Sequence, residues 1–143
     1  MIQDFVISSG IYLSQPPHEL DLHNNYDFLG LDYSVEEKTL TLRWRRGTGA
    51  WVPEKSPYAL ILTFRGVSEF RFMPRDGELP FTEDDCVSTF GYWTNEEWAN
   101  GVTMLSDNQQ PDPNWMTAIE FQSGAIIILR ASSASASFVQ SQP

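Results

Sequence analysis

The chain holds a single cysteine, Cys86, and two histidines, His18 and His23, so thiol and imidazole chemistry have few possible members. The run His18-Glu19-Leu20-Asp21-Leu22-His23 is the one place where imidazole and carboxylate occur together. Histidines five apart share neither a helix face nor a strand face, and no third ligand stands nearby, so a surface loop or strand entry is expected rather than a metal site. Cys86 would need a histidine to become a nucleophile, and both are remote in sequence, so its expected role is that of a small buried hydrophobe. Asp107, Asn108, Asp112 and Asn114 offer oxygen ligands of the kind calcium takes, but their spacing matches no EF-hand and turn formation explains them. No phosphate-cradling Gly-Lys loop, dinucleotide fingerprint, nucleophile elbow or two-cysteine metal knuckle is present. A non-enzymatic protein without cofactor or metal is therefore expected.

The aromatic and basic residues divide by context. Trp44 alternates with Leu40 and Leu42 and belongs to the core. Trp93 and Trp98 flank Thr94-Asn95-Glu96-Glu97, a capping box closed by Gly101, and occupy the positions of a hydrophobic staple on a short helix over 94–101. Thr82 and Asp85 repeat the capping spacing and predict a further single helical turn. Trp51 and Trp115 remain in loops as candidates for stacking on a ligand such as a sugar. Arg43 and Arg45 should share a solvated, ion-paired strand face with Asp32.

Charge narrows the partners. Nine Lys and Arg against nineteen Asp and Glu give a net charge of −10 over 143 residues. No base occurs between Arg75 and Arg130, whereas Asp76, Glu78, Glu83, Asp84, Asp85, Glu96, Glu97, Asp107, Asp112 and Glu120 all do. A field of one sign repels nucleic-acid phosphates and anionic lipid headgroups and favours a basic protein or a cation. Glu83, Asp84, Asp85, Glu96 and Glu97 are the expected partner-binding residues.

The elements that must position these groups are strands. Nine Gly, nine Pro and 13% aromatic residues, with no long apolar stripe at helical spacing, favour strands and turns. Residues 28–45 form a hairpin with Glu36 and Glu37 in its turn; its register sets Leu31 against Leu42, Tyr33 against Leu40 and Leu29 against Trp44. Ser34 with Thr39, Asp32 with Thr41 and Gly30 with Arg43 then line the polar face. Residues 117–129 form a second hairpin around a two-residue Ser123-Gly124 turn, stacking Phe121 on Ile126 and Ile119 on Ile128. Ile127 and Leu129 point the other way, so this strand should be central and covered on both faces. Between the hairpins, 58–64 and 67–72 flank Gly66, read as a bulge in one bent strand in preference to a turn between two. Residues 132–139 should supply a last strand, with 140–143 frayed.

The expected architecture is one mainly β domain over 1–143, a single antiparallel sheet, sandwiched or strongly curved, with one or two short helical turns. Leu40, Leu42, Trp44, Leu60, Leu62, Phe64, Ile119, Phe121, Ile126 and Ile128 form its core. An open sheet edge would suit a homodimer. The start Met1-Ile2-Gln3-Asp4 has no basic flank and no run of 18 apolar residues occurs, so neither signal peptide nor membrane span is expected. A lone cysteine fits a reducing cytoplasm.

The order of elements resembles a group of small uncharacterised bacterial β-rich domains, some of which are immunity proteins beside polymorphic toxins. The residues that carry it are Leu29-Gly30-Leu31-Asp32-Tyr33 with Leu40-Thr41-Leu42-Arg43-Trp44, Leu62-Thr63-Phe64-Arg65-Gly66-Val67, and Ile119-Glu120-Phe121-Gln122-Ser123-Gly124. The resemblance implies a cytosolic, acidic inhibitor that docks a basic partner by surface complementarity, and it assigns no individual residue. A carbohydrate- or small-ligand-binding β-sandwich using its loop tryptophans is the alternative.

Overall fold

In the computed structural model, which describes residues 1–80, 82–94, 101–106 and 109–142, the alternation at 28–45 forms the expected hairpin. It comprises β5 (Tyr26–Ser34) and β6 (Thr39–Arg46), with Leu31 against Leu42, Tyr33 against Leu40 and Gly30 against Arg43. The register breaks at Leu29. Phe28, not Leu29, faces Trp44, because a bulge between Phe28 and Gly30 inserts one extra residue, and Leu29 is left 51% exposed. Gly30 makes the bulge at φ +147°, a backbone region that side chains with a Cβ rarely enter.

The remaining strands are β1 (Ile2–Gln3), β2 (Val6–Ser8), β3 (Tyr12–Gln15), β4 (His18–Asp21), β7 (Ala59–Arg65), β8 (Glu69–Met73), β9 (Val87–Trp93), β10 (Met116–Phe121), β11 (Ile126–Arg130) and β12 (Ser133–Val139). They make three sheets in place of the single antiparallel sheet expected. The orders are β1-β12-β7-β6-β5, β8-β11-β10-β9 and β2-β3-β4. One pair, β1 with β12, is parallel; strands so far apart in the chain need no tight turn between them. No helix occurs among the described residues. Thr82 to Asp85 form a turn, with the Asp84 amide on the Thr82 carbonyl, instead of a helical turn. The capping box and staple over 94–101 fall largely outside the described residues; Trp93 ends β9 and Thr94 is buried.

Two further expectations are corrected. Gly66, at φ +66°, is neither a bulge within one strand nor a hairpin turn. It sits where the chain leaves the five-stranded sheet at β7 and enters the four-stranded sheet at β8. The second hairpin pairs Ile119 with Ile127 and Ala118 with Ile128, one residue out of the predicted register. Its connection has three residues. The Phe121 amide bonds the Ala125 carbonyl, the Gly124 amide bonds the Phe121 carbonyl, and Gly124 takes φ +89°, a turn followed by a left-handed residue.

All ten residues expected in the core are buried. Leu40, Leu42, Trp44, Leu60, Leu62 and Phe64 of the five-stranded sheet share one cluster with Ile119, Phe121, Ile127 and Leu129 of the four-stranded sheet. Leu13 and Leu20 of the small sheet close that cluster. Phe28 sits at the junction, 5.0 Å from the Trp44 ring and 4.8 Å from the Phe121 ring. Ile126 and Ile128 face away into a second cluster with Met116 and Ala118, covered by Trp93 and Val102. Strand β11 is thus central and covered on both faces, as its unbroken apolar run requires.

Candidate functional site at the acidic end

Three connections meet at one end of the stacked sheets: the turn from β4 to β5, the loop from β8 to β9, and the β10–β11 turn. The Phe28 amide bonds the Asp85 carbonyl at 2.8 Å, and the Gln122 amide bonds the Cys86 carbonyl at 2.8 Å. Asp21 organises the first connection. Its carboxylate accepts the amides of His23 at 3.0 Å and Asn24 at 2.8 Å, and the Asn24 side chain at 2.8 Å.

These bonds bring His23 to Cys86, which sequence distance had argued against. Cys86 Sγ lies 3.5 Å from His23 Nδ1, and that nitrogen is 2.7 Å from the Val87 carbonyl oxygen. A carbonyl only accepts, so Nδ1 carries the hydrogen and donates it. The nitrogen nearest the thiol is therefore already protonated in the neutral ring and cannot take the thiol proton. Burial pushes the Cys86 thiol up, and the charges of Asp85, Glu83, Asp27 and Asp21 push it further in the same direction. An activated thiolate needs the opposite surroundings. The pair ties β9 to the β4–β5 turn. Among the described residues no group of three or more His, Cys, Asp or Glu could hold a metal ion.

The same four carboxylates define the site. Glu83 and Asp85, expected from the sequence, are exposed. Half-buried Asp21 and Asp27 join them, Asp21 by capping the turn that brings His23 to Cys86 and Asp27 beside Phe28, whose amide bonds the Asp85 carbonyl. Asp84 is exposed but paired with Arg75, whose guanidinium, helped by Ser123, holds its carboxyl below the usual range. Glu96 and Glu97 lie outside the described residues. Asp21 and Asp27 come from the stretch whose charges balance overall, so only the turn that folds β4 against the start of β9 reveals them. Arg45 faces Asp27 in register, yet the ion pairs among the described residues are Arg43–Asp32, Arg75–Asp84 and Arg130–Glu69. Arg43 with Asp32 is the solvated strand-face pair that alternation predicts.

Trp51 belongs to this end. Its indole Nε1 donates to the Asn24 carbonyl at 3.0 Å, and Asn24 in turn is held by Asp21. The ring lies over Gly49, leaving no room there for a Cβ, and Trp51 is still 71% exposed. The loop carrying it is braced from below. Arg46 donates to the Glu54 and Ser56 carbonyls at 2.8 and 2.7 Å, and the Tyr26 hydroxyl, pushed up to about 12 by burial, donates to Pro57 at 2.6 Å. Trp115 is elsewhere. It precedes Met116, which pairs with Trp93 at the far end of β9 from Val87, and its ring rests 6.2 Å from that of Tyr92. The two loop tryptophans therefore offer no shared platform. Asp112 accepts the Asn114 amide at 2.8 Å, the turn role expected of it, while Asp107 and Asn108 lie outside the described residues. His18 packs on Phe138 at 4.6 Å.

No family model matches this chain, and neither the curated proteins nor the solved structures hold a match to it. No helix among the described residues is long and apolar enough to cross a membrane.

Proposed function

We propose that this chain is a non-enzymatic binding protein whose acidic end docks a basic protein, with Trp51 as the anchor at its rim. The observation that carries the reading is the placement of an exposed, hydrogen-bonded indole beside a group of carboxylates. Tryptophan contributes disproportionately to binding where it can be buried by a partner, and a side chain held in place beforehand loses less entropy on docking. Carboxylates of one sign accelerate encounter with a cationic surface and discourage phosphate and anionic lipid. The resemblance to bacterial immunity proteins makes the docked partner a basic toxin and the chain its cytoplasmic inhibitor.

The test is capture from the native host at low and moderate salt, comparing the wild type with Trp51→Ala and with a Asp27→Asn/Glu83→Gln/Asp85→Asn variant. A basic partner retained by the wild type and lost from both variants supports the reading. Retention by both, or a partner without excess positive charge, overturns it.

A further inference from the structure

The opposite end of the stacked sheets opens into a cleft of about 500 Å³, within the size range of small-molecule sites. Packed interiors leave few voids larger than a water molecule, so a space of this size between two sheets is a structural feature in its own right. Its floor is apolar: Phe5, Phe64 and Phe90 line it, and each belongs to the main core. Thr117 and Tyr92 also line it and are direct partners across β10 and β9, so their side chains stand on one face beside each other. Neither hydroxyl makes a hydrogen bond to a described residue, although Thr117 is buried and Tyr92 half-buried. Ser8 and the exposed Gln3, Ser106, Gln109 and Gln110 add polar groups to the lining. Among the described residues that line the cleft there is no Asp, Glu, Lys, Arg or His side chain, and the one charged group is the Met1 α-ammonium. That is a sharp contrast with the −10 charge of the chain.

We propose that this cleft binds a small molecule without positive charge, with an apolar body and a hydroxyl or carbonyl oxygen. The aromatic floor takes the apolar body, and the paired hydroxyls of Thr117 and Tyr92 meet the oxygen, which fixes the molecule's orientation. A cation would lose its hydration here and find no countercharge among the described lining residues, only the Met1 α-ammonium. Burial pushes the Tyr92 hydroxyl up, so it remains a neutral donor at physiological pH. The cleft is lined by Phe90, Gly91 and Tyr92 in the second half of β9 whereas the acidic end lies at Val87, so the two sites lie toward opposite ends of one strand.

The probe is N-phenyl-1-naphthylamine, an uncharged fluorophore, titrated into the full chain with native circular dichroism verified throughout. Saturable one-to-one binding is expected, about tenfold or more weaker in Ser8→Trp and in Ser106→Trp, each of which puts a large ring into the lining. Ser106 is exposed, so that variant decides the matter if Ser8→Trp fails to fold. The cationic fluorophore thioflavin T should bind about tenfold or more weaker than the neutral probe. Displacement of the neutral probe by 1-octanol should weaken in Thr117→Val, which removes a hydroxyl and keeps the shape. Absence of saturable binding, equal affinity in the folded tryptophan variants, preference for the cationic probe, or displacement indifferent to Thr117→Val would each overturn the proposal.

Discussion

His23 and Cys86 stand with Nδ1 and Sγ 3.5 Å apart although 63 positions separate them in the chain. The contact has the composition of a catalytic pair and the wiring of a structural one. The imidazole hydrogen nearest the sulfur is given to the Val87 carbonyl, and the neighbouring carboxylates oppose thiolate formation. Alkylation of Cys86 by iodoacetamide, followed against pH, should therefore show a midpoint above the ordinary thiol value of about 8.5. Neutralising Asp85 and Glu83 should move the midpoint down. A midpoint below the ordinary value would restore a nucleophilic role.

Glu120 gives a pH dependence of stability. Its carboxyl is pushed up by burial on the outer face of the four-stranded sheet, with Gly101 packed near it. A carboxyl whose folded value exceeds its unfolded value binds its proton more tightly in the native state. Its contribution to stability is thus fully present below the unfolded value of about 4.3 and declines as pH rises through the folded value. Glu120→Gln should raise the denaturant midpoint at pH 7, with the gain vanishing in acid. A midpoint lowered at pH 7 would contradict this.

Gly30 and Gly77 both have open space where a Cβ would stand, but only Gly30 has a backbone that disfavours one, at φ +147°. Gly30→Ala should cost about 1–3 kcal/mol through backbone strain. Gly77→Ala should be neutral or stabilise by about 0.4–1 kcal/mol by restricting the unfolded chain. Equal effects in urea unfolding would show that the bulge at Leu29 does not depend on this glycine.

The bulge also shows where the sequence stops being legible. Half-buried strands announce their register through alternation, which is why Leu31 with Leu42 and Tyr33 with Leu40 could be read directly. At Phe28-Leu29 two adjacent apolar residues compete for one inward position, and alternation cannot rank them. The isolated Gly30 was the available signal, because glycine inside a strand pattern marks a bulge. In β11 alternation is absent altogether, since Ile126, Ile127, Ile128 and Leu129 are all buried, so both registers satisfied the pattern and the turn geometry decided between them. The acidic end was half visible. Glu83 and Asp85 lie in an acid-only segment, but the Phe28–Asp85 backbone bond that brings Asp21 and Asp27 to it, and the Trp51–Asn24 bond that brings the indole, are tertiary contacts that no local pattern encodes.

Ile128 is wholly buried in the second cluster, between β8 and β10 in the central strand. Ile128→Asp should abolish soluble folding, because an unpaired buried charge has no compensating partner. Leu62→Ala, in the main cluster, should fold but lose about 2–5 kcal/mol in urea titration. A soluble, cooperatively unfolding Ile128→Asp protein would contradict the placement of β11.

The most direct measurement is the association rate between the chain and its captured basic partner as a function of sodium chloride. At 0.1 M salt the screening length is about 10 Å, so steering by Asp21, Asp27, Glu83 and Asp85 should fade over that range. The wild-type rate should fall steeply with salt, and the Asp27→Asn/Glu83→Gln/Asp85→Asn variant should start slower and respond less. Trp51→Ala should leave the association rate almost unchanged and speed dissociation. A wild-type rate that ignores salt, or a neutralised variant that associates as fast as the wild type, would contradict the assignment of the acidic end as the docking surface.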